Sequence, residues 1–169
     1  NVQLLNEQIL VSPLESTNTQ VTIINDGNGA QSYDVELVSP AGWHLGLDSI
    51  GTFEGSSHGS TGTLQKGSSK TVDITINSPG AMIPSGTTFE AAIIVHSRVS
   101  SISWVQDIFL IVGPVDNVSL YPPSGEVRTD ISPESLLIID FSIDNLGNRE
   151  WELTPYLMSA PGGWNVVEM

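Results

Sequence analysis

The sequence predicts an all-β fold, a β-sandwich repeated in tandem with the second copy incomplete, and three observations predict it. Apolar and polar residues alternate with period two in several short segments. Clusters of Gly, Asn, Pro and Ser separate those segments, and no apolar i, i+3, i+4, i+7 stripe runs long enough for a helix. Finally, the chain writes one stretch twice: VTIINDGNGAQSYDVELVSPAGW (21–43) is answered by FSIDNLGNREWELTPYLMSAPGGW (141–164), with strand, turn, strand and tryptophan corner in the same order.

Taken in order, Asn1 to Val11 carries Leu4, Leu5, Ile9, Leu10 and Val11 ahead of Pro13 and reads as one edge strand, with Asn6-Glu7 as the place where it would break. A proline cannot donate to a ladder, which suits the end of an edge strand. Val21 and Ile23 alternate with Thr22, and Asn25-Asp26-Gly27-Asn28-Gly29 supplies the positive-φ residues of a turn. Tyr33, Val35 and Leu37 then face one way and Asp34 and Glu36 the other, a half-buried strand that ends at Pro40-Ala41-Gly42-Trp43. GTFEGSSHGSTG (51–62) is too rich in Gly and Ser for a core strand and reads as a long exposed loop, with a short edge strand at Gly51 to Glu54. Val72, Ile74 and Ile76 against Thr71, Asp73 and Thr75 give the cleanest alternation, and Pro79 to Gly86 reads as a loop. Phe89 to His96 and Ile102 to Val112 are more continuously apolar, as expected of central strands covered on both faces or of a hairpin around Ser97 to Ser101.

The register of the repeat extends beyond the opening stretch. Asn117-Val118-Ser119-Leu120 echoes Asn1-Val2-Gln3-Leu4, Ser132-Pro133 matches Ser12-Pro13, and Trp164 matches Trp43. The spacing is about 120 residues, the size of one sandwich. One domain is therefore expected over residues 1–116 and the N-terminal half of a second over 117–169, joined by Gly113 to Asp116. The second copy reads as truncated after its tryptophan corner; the alternative is a half-module completed by another chain, which would make a dimer. Its inward face, Leu137, Ile139, Phe141 and Ile143, is expected to pack on the first domain or on a neighbouring molecule. A start at Asn1 without a signal-peptide pattern reads as an excised fragment or a processed product.

Composition narrows the partners. Of 169 residues, 39% are hydrophobic, enough for a core, while five basic residues face nineteen acidic ones for a net charge of −14. Such a chain repels phosphate backbones and anionic lipid surfaces, so nucleic acid is excluded as a partner. No apolar run approaches the ~20 residues needed to span a bilayer, so no membrane insertion is expected. With no cysteine, stability rests on packed sheets rather than on disulfides.

The residues that punctuate the first copy also carry a resemblance. Ile24-Asn25-Asp26-Gly27-Asn28-Gly29, Tyr33-Asp34-Val35, Pro40-Ala41-Gly42-Trp43, Leu64-Gln65-Lys66-Gly67-Ser68-Ser69-Lys70-Thr71-Val72-Asp73-Ile74, Pro79 and Gly86-Thr87-Thr88-Phe89 resemble bacterial and archaeal immunoglobulin-like surface modules. In particular they are similar to the NEW-type domain associated with α-galactosidases and to the cell-adhesion-related domain found in bacteria. The resemblance implies an immunoglobulin-like β-sandwich in an extracellular or cell-surface prokaryotic protein, without catalytic residues.

The chemical candidates are few. Gly55-Ser56-Ser57-His58-Gly59 matches the G-x-S-x-G nucleophile elbow, but that chemistry needs a strand-to-helix turn, and no helical pattern follows. His44, His58 and His96 show no ligand spacing, and a zinc site would need them to converge with a carboxylate. Asp26 and Asn28, with Asp144, Asn145 and Asn148, offer oxygens to calcium, yet Asp26 falls opposite Leu146, and Asx and glycine turn chemistry accounts for all of them. Among the tryptophans, Trp43 and Trp164 recur at a corner and Trp151 replaces Tyr33 on an inward face, which are core roles. Trp104, beside Ser101 and Ser103, is the one candidate ligand contact, a platform on which a sugar ring would stack.

The function expected is therefore a non-catalytic structural or adhesion module, a spacer and protein-interaction domain of a larger protein, with no cofactor and no metal. Its partners are neighbouring domains of the same polypeptide, other surface proteins or glycans. The alternative is a carbohydrate-binding accessory module of a glycoside hydrolase.

Overall fold

A computed structural model describes residues 2–4, 7–51, 55–80, 83–121 and 141–154. The strands are β1 (Val2–Leu4), β2 (Gln8–Val11), β3 (Ser16–Ile24), β4 (Gln31–Val38), β5 (His44–Leu47), β6 (His58–Leu64), β7 (Ser69–Asn77), β8 (Thr88–Ser97), β9 (Ser103–Val112), β10 (Val118–Tyr121) and β11 (Ser142–Asn145). They form a four-stranded sheet in the order β1-β3-β7-β5, a five-stranded sheet in the order β2-β9-β8-β4-β6, and a separate pair, β10-β11. The chain is an all-β, immunoglobulin-like sandwich.

Period-two patterning decides what the sandwich buries. Val72, Ile74 and Ile76 of β7 and Val21 and Ile23 of β3 face Tyr33, Val35 and Leu37 of β4, Ile93 and Val95 of β8, and Ile108, Leu110 and Val112 of β9, in one core cluster. Each fully buried aliphatic side chain contributes about 1.5–3 kcal/mol of hydrophobic stabilisation relative to exposure. Trp43 closes one end of this core, 6% exposed, with its ring 5.1 Å from that of Phe89.

Three expectations are corrected. The N-terminal segment makes two strands on two sheets: β1 pairs antiparallel with β3 (Val2↔Ile23), whereas β2 pairs parallel with β9 (Gln8↔Phe109 to Val11↔Val112). The Gly/Ser-rich stretch is not only a loop, because His58–Leu64 forms the edge strand β6 on β4, with a register shift between Ser32 and Asp34. Glycines allow close backbone approach between this stretch and its neighbours: a Cβ on Gly46 of β5 would meet the Gly55 Cα at 2.6 Å, and one on Gly59 would clash with the Ile50 carbonyl oxygen. The short strand expected at Gly51 to Glu54 falls largely outside the described residues, although Gly51 bridges to Gly59. Trp151 does not take a core place; it is 40% exposed, with the Arg149 guanidinium 4.8 Å above its ring.

Of the two forms open to Phe89–Val112, the hairpin is found, β8 pairing with β9 from Thr88↔Ile111 to His96↔Ser103. In the C-terminal part, Phe141 (57%) and Ile143 (42%) are exposed. Ser132-Pro133, Leu137, Ile139 and Trp164 lie outside the described residues.

Candidate functional site

The turn at Asn25 and the outer face of the five-stranded sheet gather the polar side chains that composition left unassigned. Asn25 is 0% exposed, and its side chain is fully used. Its Nδ2 donates to the carbonyls of Gly29 (2.9 Å) and Leu64 (2.8 Å), and its Oδ1 accepts from the Gly27 N–H (3.1 Å) and the Tyr33 hydroxyl (3.0 Å). Its backbone is tied to the next turn, N–H to the Ser68 carbonyl (2.9 Å) and C=O from the Gly67 N–H (2.7 Å). Burial, with the Asp26 charge second, pushes the Tyr33 phenol above its ordinary pKa, so it stays a neutral donor.

The same local pattern stands at Asn145, whose Nδ2 donates to the Arg149 carbonyl (2.8 Å) and whose Oδ1 accepts from the Gly147 N–H (3.0 Å). Asn25 and Asn145 thus close their turns with the same i+2 and i+4 partners. The calcium candidates are accounted for by this chemistry: Asp26 and Asn28 are exposed turn residues, and Asn148 bonds to backbone groups near the end of the sandwich. Among the described residues no group of three acidic or imidazole side chains is placed to hold a metal ion.

On the outer face, His58 and His96, far apart in sequence, flank Glu36 because β4 lies between β6 and β8. The Nε2 of His58 is 3.4 Å from Glu36 Oε1, and that of His96 is 3.9 Å from Oε2. Their Nδ1 atoms contact Ser57 Oγ (2.9 Å) and Ser103 Oγ (2.7 Å). A Ser57–His58–Glu36 contact therefore exists, but it is not an elbow. Ser57 leads into a strand instead of a helix, and the His58 side chain is 64% exposed, where water screens the charges that would activate a nucleophile. Beside it, Arg98 forks onto Asp34, Nε at 2.8 and 2.9 Å from its two oxygens. His44 stands on the other sheet, in β5.

Trp104, the one sequence-level candidate for ligand contact, is on the inner side of β9 with Ile108, Leu110 and Val112. It is half-buried against the core, its ring edge-on to Tyr33 with centroids 5.9 Å apart at 68°.

No protein-family profile and no curated protein matches the chain. Solved structures do match. The E. coli chaperone DraB is 19% identical over 67% of this chain and 55% of its own, with a TM-score of 0.38. The PapD-like domain 7 of human CEP192 is 15% identical over 66% of this chain and 83% of its own, TM-score 0.39. A family 123 glycoside hydrolase from Clostridium perfringens is 12% identical over 62% of this chain and only 22% of its own, TM-score 0.41. The match thus spans about half of DraB and a small part of the hydrolase. At these identities the likeness is one of fold.

The feature that sequence reasoning missed is Asn25 as a buried node. The signal was present, since asparagine is kept at 25 and 145 while the neighbouring acid is not.

Proposed function

We propose that the chain is a non-catalytic immunoglobulin-like module of a larger secreted or cell-surface protein, acting as a spacer and protein-interaction domain. The observation that carries this is the parallel pairing of β2 with β9. The chain comes in beside Phe109, whose N–H donates to the Glu7 carbonyl (2.8 Å), and leaves past Val11, whose carbonyl accepts from the Gly113 N–H (2.9 Å). The entry to β2 and the exit from β9 sit at opposite ends of one strand pair. Tension that passes the β1–β3 pair and pulls on the start of β2 and the end of β9 slides these two strands along each other so that their ladder bonds resist together.

The likeness to NEW-type and cell-adhesion-related modules, the division into a domain at 1–116 and a second from 117, and a place outside the cell belong to the same proposal. The motif residues at 24–29, 40–43 and 64–74 support the likeness, and the shared turn chemistry of Asn25 and Asn145 supports the division. The experiment is single-molecule extension: force applied through the two ends of the β2–β9 pair should meet more resistance than force applied at one end of it. Equal resistance would remove the spacer reading.

A further inference from the structure

Asn148 follows the Asn145 turn and directs its polar groups at the end of the first sandwich. Its Nδ2 donates to the carbonyls of Ile83 (3.1 Å) and Gly113 (2.9 Å), and its Oδ1 accepts from the Val115 N–H (2.7 Å). Its backbone N–H donates to the Val115 carbonyl (3.2 Å) and its carbonyl accepts from the Ser85 N–H (3.0 Å). Gly147 lies so close to the connecting segment that a Cβ there would meet the Val115 oxygen at 2.3 Å. Arg149 completes the contact with a two-pronged pair to Asp116, Nε–Oδ1 2.5 Å and Nη2–Oδ2 2.6 Å.

We propose that Asn148 is a clasp that fixes the orientation of the following unit on the first sandwich, its receptor being the backbone rim formed by Ile83, Ser85, Gly113 and Val115. The inference rests on the spacer reading and adds to it: the amide side chain of Asn148, seated on backbone groups, holds the junction beside the Asn148 backbone bonds and the Arg149–Asp116 pair. Asparagine is suited to this because it donates to two carbonyls and accepts from an amide at once without bringing a charge, whereas aspartate has no donor for either carbonyl. The first copy supplies an internal control, since Asn28 holds the same place in its own turn and faces solvent.

The test uses the whole chain, which has no cysteine of its own. Spin labels on Glu90→Cys in β8 and Asp144→Cys in β11 report the distance between the units, and amide exchange reports the clasp. The expected result is a narrow distance distribution in the Asn148 background and in Asn28→Ala, and a broadened one in Asn148→Ala and Asn148→Asp. In Asn148→Ala, which removes the acceptor of the Val115 N–H, that amide should exchange about tenfold faster, the loss of one hydrogen bond, whereas Asn148→Asp keeps the acceptor and should leave Val115 protected. The Gly86 amide, bonded to the Val112 carbonyl at 2.8 Å within the first sandwich, should keep its protection and show that the sandwich is intact. A distribution that stays narrow in Asn148→Ala, with Val115 still protected, would overturn the clasp. That outcome leaves the spacer reading standing, because the extension experiment is attached within the first sandwich and does not pass through Asn148.

Discussion

Replacing Asn25 by alanine should cost the sandwich about 2–6 kcal/mol, from two buried groups left without partners at ~1–3 kcal/mol each. The two groups are the Tyr33 hydroxyl and the Leu64 carbonyl, on residues 3% and 8% exposed. Gly27 N–H and Gly29 C=O, nearer the surface, can turn to water. Against a typical stability of ~5–15 kcal/mol this is a large fraction. Two further variants apportion the effect. Tyr33→Phe removes one donor but leaves Asn25 Oδ1 bonded to Gly27, so its cost should be near 1 kcal/mol. Asn25→Asp turns an oxygen toward the Gly29 and Leu64 carbonyls. Burial raises that carboxyl's folded pKa above its unfolded value of ~3.9, so the form the fold tolerates is the protonated one, and the penalty should grow as pH rises through the folded pKa. Urea unfolding followed by tryptophan fluorescence reads all three as midpoint shifts at constant slope. An Asn25→Ala midpoint equivalent to less than ~1 kcal/mol, at unchanged slope, would refute the buried-node account.

Two other predictions test the close approaches and the outer face. Gly46→Ala brings its Cβ to 2.6 Å from the Gly55 Cα, a contact with backbone that cannot swing aside, and should lower stability by ~1–3 kcal/mol; Gly29→Ala, where a Cβ meets nothing within 4 Å, is the neutral comparison in the same thermal melt. Hydrogen bonding from Arg98, with its charge adding, holds the Asp34 carboxyl below the ordinary 3.8. A depressed folded pKa gives stability that is present above the unfolded value and lost as pH falls through the folded one. The gap between the parent chain and Asp34→Asn should therefore be widest near neutrality, close toward the acid end, and narrow in high salt, as parallel denaturation curves would show.

What was legible in the sequence was whatever local alternation dictates. Val72-Asp73-Ile74-Thr75-Ile76 and Tyr33-Asp34-Val35-Glu36-Leu37 place their own side chains, and the corner at Trp43 buries as its apolar surface requires. What was not legible depends on partners far along the chain. β6 has too few apolar residues to alternate, and is a strand because β4 lends it a ladder. The crossing of the N-terminal segment from one sheet to the other is set by a pairing of Gln8 with Phe109. His58 and His96 meet at Glu36 only through the strand order β8-β4-β6. Trp104 looked like an open platform from its serine neighbours, yet its parity with Ile108, Leu110 and Val112 already put it on the inner face. The polarity of Asn25 marked it as a turn residue, and only Leu64 and Tyr33, brought over it by the fold, make it a buried one.

The spacer account stands most directly on the direction in which the β2–β9 pair resists force. With handles on Glu7→Cys and Pro114→Cys, the load runs along the parallel strands from opposite ends and strains their hydrogen bonds together. With handles on Leu14→Cys and Pro114→Cys, both at the same end, it opens them one at a time. The account predicts a clearly higher unfolding force for the first pair than for the second; equal forces, or a weaker first pair, would contradict it.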